Sequence, residues 1–321
     1  MGKKALSLYK LFASLIGAIL FIWGTSSLAQ SRHNTAPPRD ATFEDSLIES
    51  NARIGKFFDS MANGLDLFLA GQQYTNKTNK TSVILDSSLY YNSKDYLTSD
   101  ISFNVNLRLP NLEEYWQVTF TSYDETSERG VSQNYLRQQP RTRDYGATLG
   151  FFRQLGNVRT SFQPHISFAG AFKISHTLTF ESIAEQTKTY RLNPKLQLYA
   201  DADKGAGIFQ AINLHFILRK DRTLTFINEA DYQDRPHAYA VTHGLSLGQF
   251  FTPTASMSYN TFATFINRPN YQLSSYNFSV LYSQTIYKNI LNYQIGPNLT
   301  FASKYNYWGN PGGTFHLSLI F

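Results

Sequence analysis

The feature that most constrains this chain is an alternation of apolar and polar side chains through segments of about ten residues. Ile101, Phe103 and Val105, for example, alternate with Ser102 and Asn104. Such a pattern places one face of a β-strand in an apolar medium and the other in a polar one. Soluble strands usually have about 5–6 residues, whereas membrane-spanning strands need about 9–11. The segment length therefore favours a membrane-spanning barrel over a soluble sandwich or propeller.

Clusters of Gly, Pro, Asn and Asp divide the segment 81–321 into about fourteen predicted strands. These strands are 81–92, 99–109, 115–123, 143–153, 158–169, 173–184, 188–199, 207–219, 222–233, 238–250, 254–267, 275–287, 290–302 and 313–321. The turn near 169–173 is poorly marked, and losing two strands there would leave about twelve. The predicted fold is a closed antiparallel up-and-down β-barrel.

Short and long connections alternate along these strands. Outer-membrane barrels have short periplasmic turns and longer outer loops. The longest connection, 124–142, is therefore expected to be an outer loop that mixes acidic and basic residues. An even number of strands then places both termini in the periplasm.

Composition limits the function of the chain. Aromatic residues make up 15% and charged residues 16% of the sequence, whereas about 25% charged residues is usual for soluble proteins. There is no cysteine, so disulfides, thiolate metal sites and a cysteine nucleophile are excluded. The formal net charge of +6 includes Lys3, Lys4 and Lys10, and the remaining charges are interspersed. Nucleic-acid binding is therefore not expected.

The first 29 residues have the order of a secretory signal peptide. A basic start is followed by the apolar run 11–23 and then by small residues that end at Ala29. Cleavage is predicted after Ala29, which leaves Gln30 at the new N-terminus. The apolar run is too short for a spanning helix, which needs about 20 residues.

A helical period replaces the alternation in the segment 43–70, within a periplasmic extension predicted over residues 30–80. Its apolar stripe consists of Leu47, Ile54, Phe58, Met61, Leu65 and Phe68. Four roles are open for this helix: it packs under the barrel, plugs the lumen, lies at the membrane interface or docks a periplasmic protein.

The chain resembles the transmembrane β-barrel outer-membrane proteins of Gram-negative bacteria. The resemblance rests on the pattern over 81–321 and on the last nine residues, 313–321. Phe315, Leu317, Leu319 and Phe321 alternate there with polar positions and end on a terminal Phe. In that family such a strand implies recognition by the barrel-assembly machinery, with outer-membrane lipid and lipopolysaccharide as surroundings.

Charged side chains on the polar face of the strands are expected to point into the lumen. The predicted lumen charges are Arg108, Lys173, Glu181, Arg191, Lys195, Arg219, Glu229 and Asp231, with Asp86 on the same face. They could line an aqueous path or pair across a closed interior. The His, Ser and carboxylate residues form no pattern typical of a catalytic site, so an enzyme is not expected. The spacing of His and carboxylate residues does not match that of metal ligands. No cofactor is expected.

The leading functional hypothesis is a passive, porin-like channel for small polar solutes. The first alternative is a closed structural or partner-binding barrel that acts through the helix 43–70 or the loop 124–142. A transporter of hydrophobic compounds is the second alternative. The Asn-Pro-Ala motif of fatty-acid transporters is absent near the N-terminus, and only Asn310-Pro311-Gly312 resembles it.

Overall fold

The structure is a computed structural model. It describes residues 43–70, 81–110, 116–123, 128–136, 140–141, 143–167, 172–182, 185–201 and 205–321. The predicted signal peptide and its cleavage between Ala29 and Gln30 lie outside the described residues.

Fourteen long strands form one closed antiparallel sheet. The strands are β1 (Ser82–Asn92), β2 (Tyr96–Arg108), β3 (Trp116–Tyr123), β4 (Arg143–Leu155), β5 (Val158–Ser167), β6 (Lys173–Ser182), β7 (Tyr190–Asp201), β8 (Gly205–Arg219), β9 (Arg222–Gln233), β10 (Ala238–Thr252), β11 (Ala255–Ile266), β12 (Gln272–Ile286), β13 (Leu291–Ala302) and β14 (Gly309–Ile320). Each strand pairs with its neighbours in sequence, β1 pairs with β14, and β6 pairs with β7. A two-residue strand, Glu185–Gln186, adds to the start of β7. The predicted closed up-and-down barrel of fourteen strands is confirmed.

The alternation in sequence separates the two surfaces of the barrel. Ile101, Ile212 and Phe278 lie on the outward face and are 54%, 58% and 50% exposed. Thr119 and Thr148 lie on the inward face and are almost completely buried. The exterior is therefore apolar and the interior polar, as in a membrane barrel.

The two ends of the barrel differ in their connections. The start of β1 and the end of β14 lie together, with Ile84 opposite Ile320. We call this the terminal end and the opposite one the loop end. The turns at the terminal end include the short connections 156–157 and 220–221, whereas the connection 124–142 begins and ends at the loop end.

A long helix, α1 (Phe43–Ala70), lies against the outside of the barrel at the terminal end. Ala62 is fully buried in a cluster with Val83, Val105 and Leu107, all on the outward face of β1 and β2. The Asn51 side chain donates a 2.6 Å hydrogen bond to the carbonyl of Ile320 in β14. The helix thus crosses the ends of β14, β1 and β2, so its described residues do not plug the lumen.

The buried side of α1 differs from the predicted stripe. Leu47, Ile54 and Phe58 are partly buried, but Met61 is 42% exposed. Ala62 and Asp66 are buried instead. A small residue allows the helix backbone to approach the sheet closely, which a pattern of large apolar residues does not anticipate. The side chains of Leu65 and Phe68 lie outside the described residues.

No helix among the described residues is long and apolar enough to cross a membrane.

Candidate functional site

The connection between β3 and β4 enters the barrel and crosses its lumen. We call residues 124–142 the crossing loop; residues 128–136 and 140–141 of it are described. It contains a short helix, α2 (Val131–Leu136), which lies near β9 and β12. In a ring of fourteen strands, β9 and β12 are on the far side from β3 and β4. The described part of the loop therefore lies inside the barrel, a position that the sequence did not predict.

Glu229 of β9 holds the start of α2. Its carboxylate accepts hydrogen bonds from the backbone N–H groups of Val131, at 2.7 Å, and Ser132, at 3.2 Å, and from the Ser132 hydroxyl. Glu229 is only 5% exposed. Gly130 is packed against the same carboxylate, since an added Cβ would lie 2.1 Å from a Glu229 oxygen. A side chain at position 130 would therefore displace the Glu229 carboxylate from this position.

Arg129 provides a second attachment. Its guanidinium lies 3.5 Å from the centre of the Tyr199 ring and 3.7 Å from the carboxylate of Asp231. Tyr199 donates a 2.7 Å hydrogen bond to the same carboxylate. The Lys195 ammonium donates a 2.8 Å hydrogen bond to the backbone carbonyl of Arg129. Side chains of β7 and β9 thus bind one residue of the loop.

Arg141 attaches the other end of the loop to the opposite wall. It donates hydrogen bonds to Glu128 at 2.8 Å, to Asp86 at 3.1 Å and to the Ser102 hydroxyl at 2.8 Å. Its guanidinium also lies 3.9 Å from the centre of the Tyr123 ring. Burial opposes the charged form of Arg141, but the bond to Glu128 and the charge of Asp86 raise its pKa above its ordinary value.

Charge is closely balanced around the crossing loop. The cations there are Arg129, Arg141 and Lys195, and the anions are Asp86, Glu128, Glu229 and Asp231. Removing one partner of such a buried set leaves an uncompensated charge, which is costly. The loop is therefore held in place by ionic contacts as well as by hydrogen bonds.

The predicted lumen charges separate into two groups. Lys195, Glu229 and Asp231 meet at the crossing loop, as does Asp86. The others lie elsewhere: Arg108, Glu181 and Arg191 lie toward the terminal end, and Lys173 begins β6 at the loop end. Arg219 was predicted to point into the lumen, but a register shift in β8 pairs it with Arg222 on the outward face.

Sequence reasoning missed Arg129, Arg141 and Tyr199. The alternation that orients strand residues gives no direction for a loop. A usable signal was present in the length of the connection 124–142 and in its arginines, because the inward acids of β1 and β9 require cationic partners.

Several polar atoms of the inner wall have no hydrogen-bond partner among the described residues. They are the His165 Nε2, Asn193 Oδ1, Gln197 Oε1 and Asn277 Oδ1 atoms, each almost inaccessible. Other inward groups are paired, such as the Ser246 hydroxyl, which donates to Asn260 at 2.6 Å. A buried polar group without a partner is costly, and such groups usually bind water.

The residues of the predicted assembly signal lie on the outward face of the final strand. Phe315 is 38% exposed, and Phe321 packs against the cluster beneath α1. Leu317 and Leu319 face the same way. Phe321 also exchanges two backbone hydrogen bonds with Val83, at 3.1 and 2.8 Å, which close the barrel at the terminal end.

Within the described part of the chain, no group of three or more His, Asp or Glu residues could hold a metal ion.

Comparisons with known proteins give structural neighbours only. No protein-family model matches the chain, and no curated protein matches it. Three similar solved structures are outer-membrane proteins. The channel DcaP of Acinetobacter baumannii shares 7% identity over 78% of this chain and 99% of its own, with a TM-score of 0.46. OmpT of Vibrio cholerae shares 6% over 78% and 100%, with a TM-score of 0.45.

The third neighbour, OccK11 of Pseudomonas aeruginosa, shares 9% identity over 75% of this chain and 95% of its own, with a TM-score of 0.45. At these scores the likeness does not bear on function. The closed strand ladder, the apolar exterior and the polar interior of this chain are themselves those of a transmembrane β-barrel of the outer-membrane type.

Proposed function

We propose that the protein is a porin-like channel of the outer membrane that passes small polar solutes through a lumen narrowed by the crossing loop. The observation that carries this proposal is the polar inner wall of the closed barrel, on which residues such as Thr119, Thr148, Asn213 and Asn277 lie. A polar wall favours water over hydrocarbon inside the barrel. A hydrated lumen in a closed barrel is a path for polar solutes.

The proposed location and orientation follow from the barrel surfaces. Open sheet edges and lipid-exposed polar backbone are excluded from membranes, and a closed barrel has neither. We expect this end, with both termini, to face the periplasm, because outer-membrane barrels have their short turns there. Residues 1–29 would direct export and be removed.

Helix α1 would then lie at the periplasmic surface of the bilayer. Phe57 and Met61, four residues apart on the helix, are 64% and 42% exposed. An amphipathic helix that exposes such residues beside a lipid-facing wall suits the membrane interface. We therefore favour an interfacial role for α1 over a partner-docking role.

The direct test is single-channel conductance of residues 30–321 in planar bilayers. We expect steady conductance from the intact chain, and the same conductance after residues 43–70 are deleted, because α1 lies outside the lumen. Replacing residues 128–141 with a short Gly-Ser linker should increase the conductance. An intact chain that stays silent would contradict the passive channel, and conductance only after the replacement would show that the loop is a plug.

A second candidate is a closed barrel that acts through a partner. The observation that favours it is the tight attachment of the crossing loop, in which Arg129 and Glu229 are each 5% exposed. Silence of both the intact chain and the loop-replaced chain would support this candidate. The search would then turn to proteins that bind α1.

A further inference from the structure

We propose that the terminal-end mouth of the lumen contains a binding site for a small organic carboxylate. The site is a cavity of about 280 Å³ that we call the arginine pocket. It is lined by Arg108, Trp116, Gln117, Phe152, Arg153, Gln154 and Arg159. The inference rests on the proposed channel function, because it names the class of solute.

Strand register brings the polar lining residues together on the inner wall. Arg108 of β2 is directly opposite Gln117 of β3, and Gln154 of β4 is directly opposite Arg159 of β5. All four lie on the same face as the buried inward residues Thr119 and Thr148. A solute in the lumen therefore meets two guanidinium groups and two amide groups near the end of its path.

The arginines of this pocket differ from those of the crossing loop in having no anionic partner. Arg129 and Arg141 are paired with carboxylates. Within the described residues, Arg108, Arg153 and Arg159 form no ion pair. Glu181 lies across from Arg159 in the ladder, but the two side chains are not within salt-bridge distance. Among the described residues, the three arginines therefore outnumber the one nearby carboxylate, and their net positive charge in a partly enclosed space attracts anions.

The lining chemistry specifies the form of the anion. A guanidinium donates two parallel hydrogen bonds to a carboxylate, a geometry that an ammonium cannot provide. Gln117 and Gln154 can donate further hydrogen bonds from their amide groups. The ring of Phe152, which lies on the same inward face, supplies apolar surface. These groups together fit a carboxylate attached to a small flat apolar body, for which benzoate is a suitable probe.

A phospholipid phosphate shares the oxyanion chemistry and could reach the same end of the barrel. The inward direction of Arg108, Gln117, Gln154 and Arg159 favours a dissolved anion over a headgroup from the surrounding membrane.

The test is equilibrium binding of benzoate to the full mature chain in detergent, with benzamide as the neutral probe of the same shape. We expect benzoate to bind more tightly than benzamide. Arg108→Gln and Arg159→Gln should each weaken benzoate binding about tenfold or more, since hydrogen bonds to charged groups are worth about 1.5–3 kcal/mol. Arg159→Lys should weaken it less, because the charge remains and only the bidentate geometry is lost.

Arg222→Gln is the matched control. Arg222 is an exposed arginine at the terminal end, beside Asp221 and outside the pocket. Equal binding of benzoate and benzamide, or an equal loss in the control, would overturn the proposal. A second contrary outcome is possible in nanodiscs that contain phosphatidylglycerol. If this lipid occupies the pocket and benzoate cannot displace it, the carboxylate proposal is overturned and the pocket is assigned to a lipid headgroup.

Ion selectivity separates this proposal from the channel function. The reversal potential across a salt gradient should show anion preference that decreases in the Arg108→Gln/Arg159→Gln double variant and persists in Arg222→Gln. A chain that conducts without anion preference and does not bind benzoate would contradict only the pocket. A chain that binds benzoate but does not conduct would contradict only the channel.

Discussion

The carboxylate of Glu229 joins the crossing loop to the far wall of the barrel through three donors on two residues. Glu229→Gln keeps the shape but removes the charge and turns one acceptor oxygen into a donor. We expect it to lower the free energy of unfolding by about 1–3 kcal/mol, as for other buried groups that lose a partner. Because the loop would be released first, trypsin should cleave after Arg129 sooner than in the native chain.

Glu181→Gln is the control for this variant, since Glu181 is exposed, lies on the same inner wall and does not touch the described loop residues. Urea unfolding in lipid vesicles and limited proteolysis check both outcomes. Equal cleavage rates in the two variants would mean that Glu229 does not hold the loop.

Among the described secondary-structure elements, α1 packs against the outside of the barrel through Ala62. Ala62→Leu adds volume where Ala62 is fully buried against Val83 and Leu107. Overpacking of this kind costs about 1–3 kcal/mol, and we expect the helix to detach while the strands stay paired. Hydrogen exchange should increase in the amides of α1 and stay unchanged in β1.

Met61→Leu is the matched helix variant, because Met61 is the neighbouring residue, is 42% exposed and is replaced at nearly constant volume. We expect no change in exchange. A similar increase in both variants would show that the buried side of the helix is not the one that contains Ala62.

The elements differ in how well the sequence predicts them. The strand predicted over 222–233 is observed as Arg222–Gln233, because alternation and flanking turns determine both ends. The final strand was predicted from residue 313 but begins at Gly309. The extra residues pair with 298–301 of β13, and Asn310 also accepts a 2.7 Å hydrogen bond from the Ser93 hydroxyl. Such a tertiary contact has no periodic signal.

The crossing loop shows the same limit more strongly. Alternation placed Glu229 and Asp231 on the polar face of β9, but their partners Arg129, Ser132 and Tyr199 depend on where a loop folds in three dimensions. The sequence therefore predicts which strand residues face the lumen, but only the structure identifies the loop residues that bind to them.

At the scale of the whole molecule, the separation of an apolar exterior from a polar interior implies a hydrocarbon band at mid-height. Ile212 is the central residue of β8 and is 58% exposed on the outward face. Leu155 lies on the outward face as the last residue of β4, at the terminal end, and is 54% exposed. The two positions are matched in exposure and differ in expected depth.

Ile212→Arg should therefore lower the free energy of unfolding by about 2–4 kcal/mol in lipid vesicles, whereas Leu155→Arg should cost at most about 1 kcal/mol. An arginine near the interface can extend its guanidinium into water, and one at the midplane cannot do so without thinning the bilayer. Urea titration followed by tryptophan fluorescence measures both. Since a soluble barrel would tolerate arginine equally at two exposed positions, equal costs would contradict the membrane-spanning interpretation itself, independently of whether the lumen conducts.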